Sequence, residues 1–490
     1  MFISPNFITP NKMFTGLFKF DWLFFTRKIY FYAVLISFAA LGLLTAAAAS
    51  FPFPDTFKNS PYVITYITGI MSLLCIFSVT LLAAQSMLRE KDSQFDLILY
   101  ATPINKRSYL TSRMAVILLV ATLSFALYMV GLLLGHQLFR RYADQYTHVR
   151  FWYYIQPFLV LAVPNILLCT GVICSIGAIA KNKMVIYISG LFIYFLYWGV
   201  SLFSNSPLMA NASPVSPQSM QLMARLDPFG MSAFFEQTQY WSAAQRNSQV
   251  LALQGNFLFN RALFICIAGM FILFAYYKFS FTLLGSKKNS RKQPQADSPI
   301  PGIAYKAIHT HTRGLRYHLR IWYSYVKLDI GFVIKGIPFW LLILGWDCFF
   351  SMELYGDIAG GSRFPEKFAT SALMVTNILE MLPTIGLLAV IFYGSEIFWR
   401  SQSARFYGIE NSSPAPQSVV LLAKWFALSA VPLLVIASNV IIGIFFQLAF
   451  GYADIDWGLY LSLFYLIGLP LSLSAAFVSA LQIFCNNRYK

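Results

Sequence analysis

Ten apolar runs, each about the length of helix that crosses a hydrocarbon core, constrain this chain more tightly than any other feature of its sequence. They fall at about 29–49, 63–86, 114–135, 155–180, 185–205, 262–283, 338–355, 373–395, 425–450 and 459–485. Lipid offers no hydrogen-bond partner to a bare backbone amide, so each run must satisfy its own backbone as a helix. Charged residues make up 11% of the chain, against about 25% in soluble domains. The expected fold is therefore an all-α polytopic membrane protein of about ten transmembrane helices, with the lipid bilayer as its solvent.

The net charge of +17 would suit nucleic acid, but its placement does not. Lys and Arg sit at the ends of the apolar runs, where they meet anionic headgroups. Arg27 and Lys28 precede the first run, and Arg89, Lys91, Lys106, Arg107 and Arg113 lie between the second and third. Lys181 and Lys183 lie between the fourth and fifth, Lys287, Lys288, Arg291 and Lys292 follow the sixth, and Arg400, Arg405 and Lys424 lie between the eighth and ninth. The positive-inside rule puts these connectors, and with them both termini, in the cytoplasm. Arg140, Arg141 and Arg150 on the other side are the exception. Ala46–Ala49 before Ser50 resembles a small-residue cleavage site, but the leader ahead of the run is long for a signal peptide. The six cysteines lie in or beside apolar runs without a CxxC pair, as small packing residues do.

The chain also repeats itself. Phe18–Phe31 aligns without gaps on Val326–Phe339, pairing Lys19 with Lys327, Asp21 with Asp329, Phe24 with Phe332, Ile29 with Ile337 and Phe31 with Phe339. Arg89–Arg113 aligns without gaps on Arg400–Lys424, pairing Arg89 with Arg400, Phe95 with Phe406, Ile98 with Ile409, Pro103 with Pro414 and Arg113 with Lys424. Pro164 and Pro470 fall in equivalent runs. Copies in the same orientation imply two halves related by an axis along the membrane normal. The expected organisation is an N-terminal segment (1–28), a six-span repeat (29–283) with an outer loop (206–260), a cytoplasmic linker and interfacial helix (284–337), and a four-span repeat (338–490). By symmetry the second copy lacks two spans and an outer loop, which reads as a fragment of something longer or a naturally reduced half.

Four kinds of segment could carry function. In Arg89–Arg113, the apolar Phe95, Leu97 and Ile98 sit in a charged frame that includes Glu90, and Pro103 stops any helix. The expectation is a short helix that docks a cytoplasmic motor, with a second at Arg400, Phe406 and Pro414; a plain amphipathic connector is the alternative. In 313–336, Leu315, Leu319, Trp322 and Val326 recur at helical spacing among basic residues, as on a helix lying in the interface. The outer loop centres on Asp227, Pro228, Phe229 and Gly230, followed by Trp241, and is too apolar for disorder; a folded cap is expected. Among intramembrane polar residues, Glu380 and Asp347 are candidates for lining a pathway or for structural pairing, and Asn165 and Asn439 for hydrogen bonds between helices.

No catalytic machinery or cofactor site is expected. The chain has no GxxxxGK[ST] phosphate loop, HExxH or GxSxG, and His309 and His311 in a polar linker are poor evidence for metal.

The stretch REKDSQFDLILYATPINKRSYL, the VPN at Val163–Asn165, the LDPFG at Leu226–Gly230, Tyr240-Trp241, Arg246-Asn247 and Asn260-Arg261 resemble the ABC-2 type permease region of large bacterial proteins. So do YGSEIFWRSQSARF, SSPAPQSVVLLAKW and the GYADI at Gly451–Ile455. In that family a twelve-span permease is followed by an M1-family aminopeptidase-like domain. The resemblance covers nearly the whole chain and begins near Met13, which makes Met13 an alternative start to Met1. It implies a bacterial inner-membrane permease subunit of an ABC-type exporter, driven by a separate ATP-binding subunit. No peptidase or zinc site carries over, although a downstream peptidase-like domain or chain is a possible partner. Ser401, Gln402 and Ser403 dilute the charge the family usually carries in the second coupling segment. The alternative is a non-transporting membrane anchor or a truncated fragment of such a fusion protein.

Overall fold

The computed structural model describes residues 10–48, 55–93, 95–139, 145–180, 183–203, 217–280, 314–358, 367–403 and 406–484. Their regular structure is helical, with no strand among them, and they divide into two compact units, Met1–Lys287 and Lys288–Lys490. Among the described residues, eight helical segments are long and apolar enough to cross a membrane, so the chain is an all-α, multi-pass membrane protein.

The first unit opens with α1 (Pro10–Thr26), bent by 70° against α2 (Ile29–Ala48), a pair that counts as a ninth crossing if taken together. α3 (Pro61–Ser72) and α4 (Cys75–Met87) form one span, followed by the short α5 (Arg89–Asp92) and α6 (Asp96–Ala101). α7 (Lys106–Leu138) is the longest helix of this unit. α8 (Trp152–Pro157) and α9 (Val163–Ile179) form another span, joined by a π-helical turn over Phe158–Ala162. Pro164 explains that turn: it has no N–H for the carbonyl four residues back, Val160, and its ring collides with a regular helix there. α10 (Lys183–Phe203) follows, an apolar helix of 21 residues. After α11 (Pro217–Leu226), α12 (Met231–Thr238) and α13 (Ala243–Ser248), the unit closes with the span α14 (Gly255–Lys278).

α2 packs along α7 through small residues. A Cβ on Gly42 would strike the Tyr128 carbonyl, and one on Gly131 the Ala39 carbonyl. Lipid tails are as apolar as Leu, so close backbone approach through glycine is what joins such helices.

The second unit comprises α15 (Leu315–Ile334), α16 (Ile337–Ile358), α17 (Ser371–Phe398), α18 (Arg400–Ser403), α19 (Tyr407–Asn411), α20 (Gln417–Ala449), α21 (Trp457–Leu466) and α22 (Gly468–Phe484). Its spans are α16, α17, α20 and α21–α22. α15 packs along α20, as α1 packs along α7 in the first unit. α20 and α7 are both 33 residues long, and Trp457–Phe484 and Trp152–Ile179 are both 28. The break between α21 and α22 falls at Ile467, next to Leu466, whose carbonyl Pro470 leaves without a donor, so the same proline chemistry interrupts both last-named spans.

Candidate functional site

At one end of the first unit three charged segments converge. α1 contributes Asp21, α5 contributes Arg89 and Glu90, and the first turns of α7 contribute Tyr109 and Arg113. Arg89 Nη2 donates to Asp21 Oδ1 at 2.7 Å and to Glu90 Oε1 at 2.9 Å. Arg113 donates through Nη2 to Glu90 Oε1 and through Nη1 to the Ser86 carbonyl at 2.7 Å. Its Nε lies 3.9 Å from Asp21 Oδ2. The Tyr109 hydroxyl donates to Glu90 Oε2 at 3.2 Å, and its ring lies 4.2 Å beneath the Arg113 guanidinium. Glu90 and Arg113 are 6% and 2% exposed, so this is a buried network of two cations and two anions. Burial pushes the Glu90 carboxyl up, but Arg113 and then Arg89 outweigh it and hold the group below its ordinary range. Glu90 therefore contributes stability at neutral pH, and that contribution is lost as the pH falls through its depressed range.

The second unit rebuilds half of this arrangement from the sequence-equivalent residues. Arg400 Nη1 lies 2.5 Å from Asp329 Oδ1. Its guanidinium lies 5.6 Å from the Phe332 ring centroid, as that of Arg89 lies 4.6 Å from Phe24. Glu90 has no counterpart, because Ser401 follows Arg400. Lys424, at the position equivalent to Arg113, donates instead to the Phe398 carbonyl at 3.1 Å. Asp329 is buried, and although Arg400 is within ion-pairing distance, neither carboxylate oxygen meets a donor in hydrogen-bonding geometry. Burial pushes its carboxyl up to about 6, with Arg400 and Lys424 pulling against the rise and Glu410 adding to it.

Beyond each ion pair the chain turns outward. Phe95 and Ile98 are 47% and 60% exposed, and their equivalents Phe406 and Ile409 are 51% and 62% exposed. The Leu97 side chain lies outside the described residues. Pro103 and Pro414 are exposed beyond the short helices, and the Pro414 carbonyl accepts from the Tyr317 hydroxyl at 3.3 Å. In the first unit α14 covers the neighbouring face of α7, with Lys106 over Tyr276 and Tyr109 stacked on Phe279. In the second unit the equivalent face of α20, at Gln417, Val420 and Lys424, lines a cavity of about 540 Å³.

A second polar network lies at the opposite end of the first unit. α11–α13 form a helical layer here, and Asn247 ties it to the loop at 55–57: its Oδ1 accepts from the Phe57 amide at 2.9 Å and its Nδ2 donates to the Asp55 carbonyl at 2.8 Å. Asp227 shapes the turn, accepting from the Phe229 amide at 2.9 Å and the Ser232 amide at 2.6 Å. Phe229 sits on Tyr197, 4.6 Å between ring centroids, and Trp241 sits 6.4 Å from Tyr62. Beneath the turn, Arg261 of α14 is 3% exposed. It donates through Nη1 to Asn165 Oδ1 at 2.9 Å, through Nε to Asn260 Oδ1 at 3.0 Å and through Nη2 to the Pro228 carbonyl at 3.4 Å. Asn165 also donates to Ser72 Oγ at 2.8 Å, and Asn260 Nδ2 to the Asp227 carbonyl at 2.8 Å.

Gly230 makes this packing possible. Its φ is 74°, and an added Cβ would collide with Arg261 Nη2. Gly230→Ala is expected to lower the melting temperature, with the left-handed backbone alone costing about 1–2 kcal/mol. Gly230→Asn should fail to rescue it, although Asn tolerates that backbone, because its Cβ meets the same guanidinium. A wild-type melting temperature for the Asn variant would show that only the backbone conformation matters.

Comparison with family models, curated proteins and solved structures returns no match to this chain. The assignment of function therefore rests on the geometry and on the resemblance of its short motifs.

The remaining polar candidates separate by environment. Asp347 of α16 accepts from the Ser438 hydroxyl of α20 at 3.1 Å, and the adjacent Asn439 accepts from Trp346 Nε1 at 3.2 Å. These two pairs join α16 to α20. Glu380 is exposed on α17, three residues before Pro383. Among the described residues no group of His, Cys, Asp and Glu could hold a metal ion. Arg140, Arg141, the linker histidines and the N-terminal part of the outer loop (206–216) lie outside the described residues. Sequence reasoning did not single out Tyr109 or Ser86. Asn260 and Arg261 entered only as part of the motif resemblance, although an Asn-Arg pair at the start of an apolar run is itself a signal.

Proposed function

We propose that this chain is the membrane-spanning subunit of an ABC-type exporter in a bacterial inner membrane, with both termini cytoplasmic and two like-oriented repeats driven by a separate ATP-binding subunit. The observation that carries this reading is the duplicated coupling geometry. In each unit an aspartate of the helix before the first span lies within ion-pairing distance of the arginine that follows the second, at 2.7 Å for Asp21–Arg89 and 2.5 Å for Asp329–Arg400. Each pair is followed by a short helix that leaves equivalent apolar side chains exposed, Phe95 and Ile98 in one unit and Phe406 and Ile409 in the other. An exposed pair of aromatic and branched residues on a braced turn offers the kind of anchor that a protein interface buries. The bracing matters because a push on a loosely held loop would be absorbed locally, whereas one on Arg89 is passed to α1 and α7. The equal lengths of α7 and α20, and of the two proline-interrupted spans, support the repeat. The 55–57 loop and α11–α13 lie at the other end of the first unit, which suits an outer cap.

The test is co-purification with the ATP-binding subunit encoded beside this chain. Replacing Phe95 and Ile98 together with Asp is expected to abolish co-purification while leaving the melting temperature unchanged, because both side chains are exposed. Replacing Phe406 and Ile409 should weaken it less, since the second segment lacks Glu90's counterpart. Undiminished ATPase binding by both double variants would end the docking model.

A further inference from the structure

Between α10 and α14 the cap-side part of the first unit contains an apolar slot. Both helices pack on α9, and they barely touch one another. The slot has a volume of about 360 Å³, within the range of small-molecule sites. Cys169 and Val172 of α9 form its floor, Tyr197 and Phe264 flank it, and Pro228 and Phe229 of the cap close one end. No charged side chain is among the described residues that line it. A polar ligand would lose its hydration here without compensation, whereas a hydrocarbon chain has none to lose. The slot also opens at the surface of the first unit, between apolar helices. Only 22% of the apolar window of α14 is buried, against 56% for α7, and Leu196 and Phe271 at the slot are 46% and 37% exposed. In a bilayer, the molecules that surround an apolar helix surface of this kind are lipid tails.

We propose that this slot is a binding site for a single alkyl or acyl chain, which enters sideways from the bilayer and lodges beneath Phe229. The site depends on the membrane spans and the cap alone, so it stands or falls separately from the transport reading. Its polar end, where Pro228 shares its carbonyl with the buried Arg261, is already hydrogen-bonded within the protein. The specificity it offers is thus for the chain and not for a headgroup.

The test uses the full chain in phosphatidylcholine vesicles doped with a phospholipid that carries a diazirine in its acyl chain. After illumination, labelled peptides are mapped by mass spectrometry. Label is expected on Leu168–Ile173 and around Tyr197, as well as on the lipid-facing Leu273 and Phe274. Val172→Trp should reduce the slot label about tenfold by overpacking the site, with label at Leu273 and Phe274 unchanged. Ile193→Trp, from a different helix, should do the same and serves if the first variant misfolds. Label confined to lipid-facing residues, or slot label indifferent to both tryptophans, would overturn the site. So would slot label that appears only when the protein is diluted in detergent, since a second copy would then be the natural occupant.

Discussion

Glu90→Ala is expected to cost about 3–5 kcal/mol of stability, the range seen when one partner of a buried ion pair is removed. Arg113 would keep its guanidinium 2% exposed, with the Ser86 carbonyl as its one remaining acceptor within hydrogen-bonding distance and Asp21 no closer than 3.9 Å. The measurement is thermal unfolding in detergent, followed by the fraction that stays monodisperse. The double variant Glu90→Ala with Arg113→Met should recover most of the loss, because it buries no orphan charge. If the double variant is no better than Glu90→Ala, the loss is one of packing and not of charge. Asp329→Asn in the second unit should behave differently. Burial raises the pKa of that carboxyl to about 6, so its ionised form is disfavoured in the fold and stability falls as the pH rises from the ordinary carboxylate range to about 6. At neutral pH the amide is therefore expected to be close to neutral or mildly stabilising, and a loss as large as that of Glu90→Ala would refute this account.

Arg261→Met is the second large effect expected. It would leave the Asn165 and Asn260 side-chain oxygens without the donor that now joins them, and a buried acceptor left unpaired costs about 1–3 kcal/mol. The Pro228 carbonyl would lose its contact as well. Because these groups tie α9, α14 and the cap turn together, the cap should loosen before the spans do. Limited proteolysis would read this as cleavage at Arg246 of α13 under conditions that leave wild type intact. Arg261→Lys should fail in the same way, since one ammonium cannot reach three acceptors in the planar fork that guanidinium provides. Wild-type protease resistance in Arg261→Lys would mean that charge alone, and not the fork, holds the cap.

Much of the fold was legible in the sequence because lipid leaves a chain so few options. A run such as Met114–Gly135 has no backbone partner but itself, so composition and length suffice to read a span. The tighter details were not legible in that way. The GLLLG at 131–135 seats α7 on α2, yet such triads also occur where no helix packs, and only the partner's Ala39 carbonyl gives it meaning. α10, by contrast, was legible from composition and length: the apolar pattern suggested a crossing at 185–205, and a helix of 21 residues runs over Lys183–Phe203.

The charged site was half legible. Matching Asp21 with Asp329 and Arg89 with Arg400 was possible by register alone, but nothing in the register says that the two members of each unit touch. That contact joins residues far apart in the chain, and it depends on how α1 lies along α7 and α15 along α20. The same holds for Arg261, whose three acceptors come from α9, from the cap turn and from its own neighbour.

By itself the sequence determined that this is a helical membrane protein and where most of its apolar spans fall, because both follow from local periodicity and backbone chemistry. Tertiary structure alone decided which buried charges neutralise one another, that the LDPFG turn rests on a guanidinium, and that an apolar slot opens beside it. Those outcomes depend on which helix faces meet, and a side chain's neighbours across a helix interface leave no mark in its own stretch of sequence.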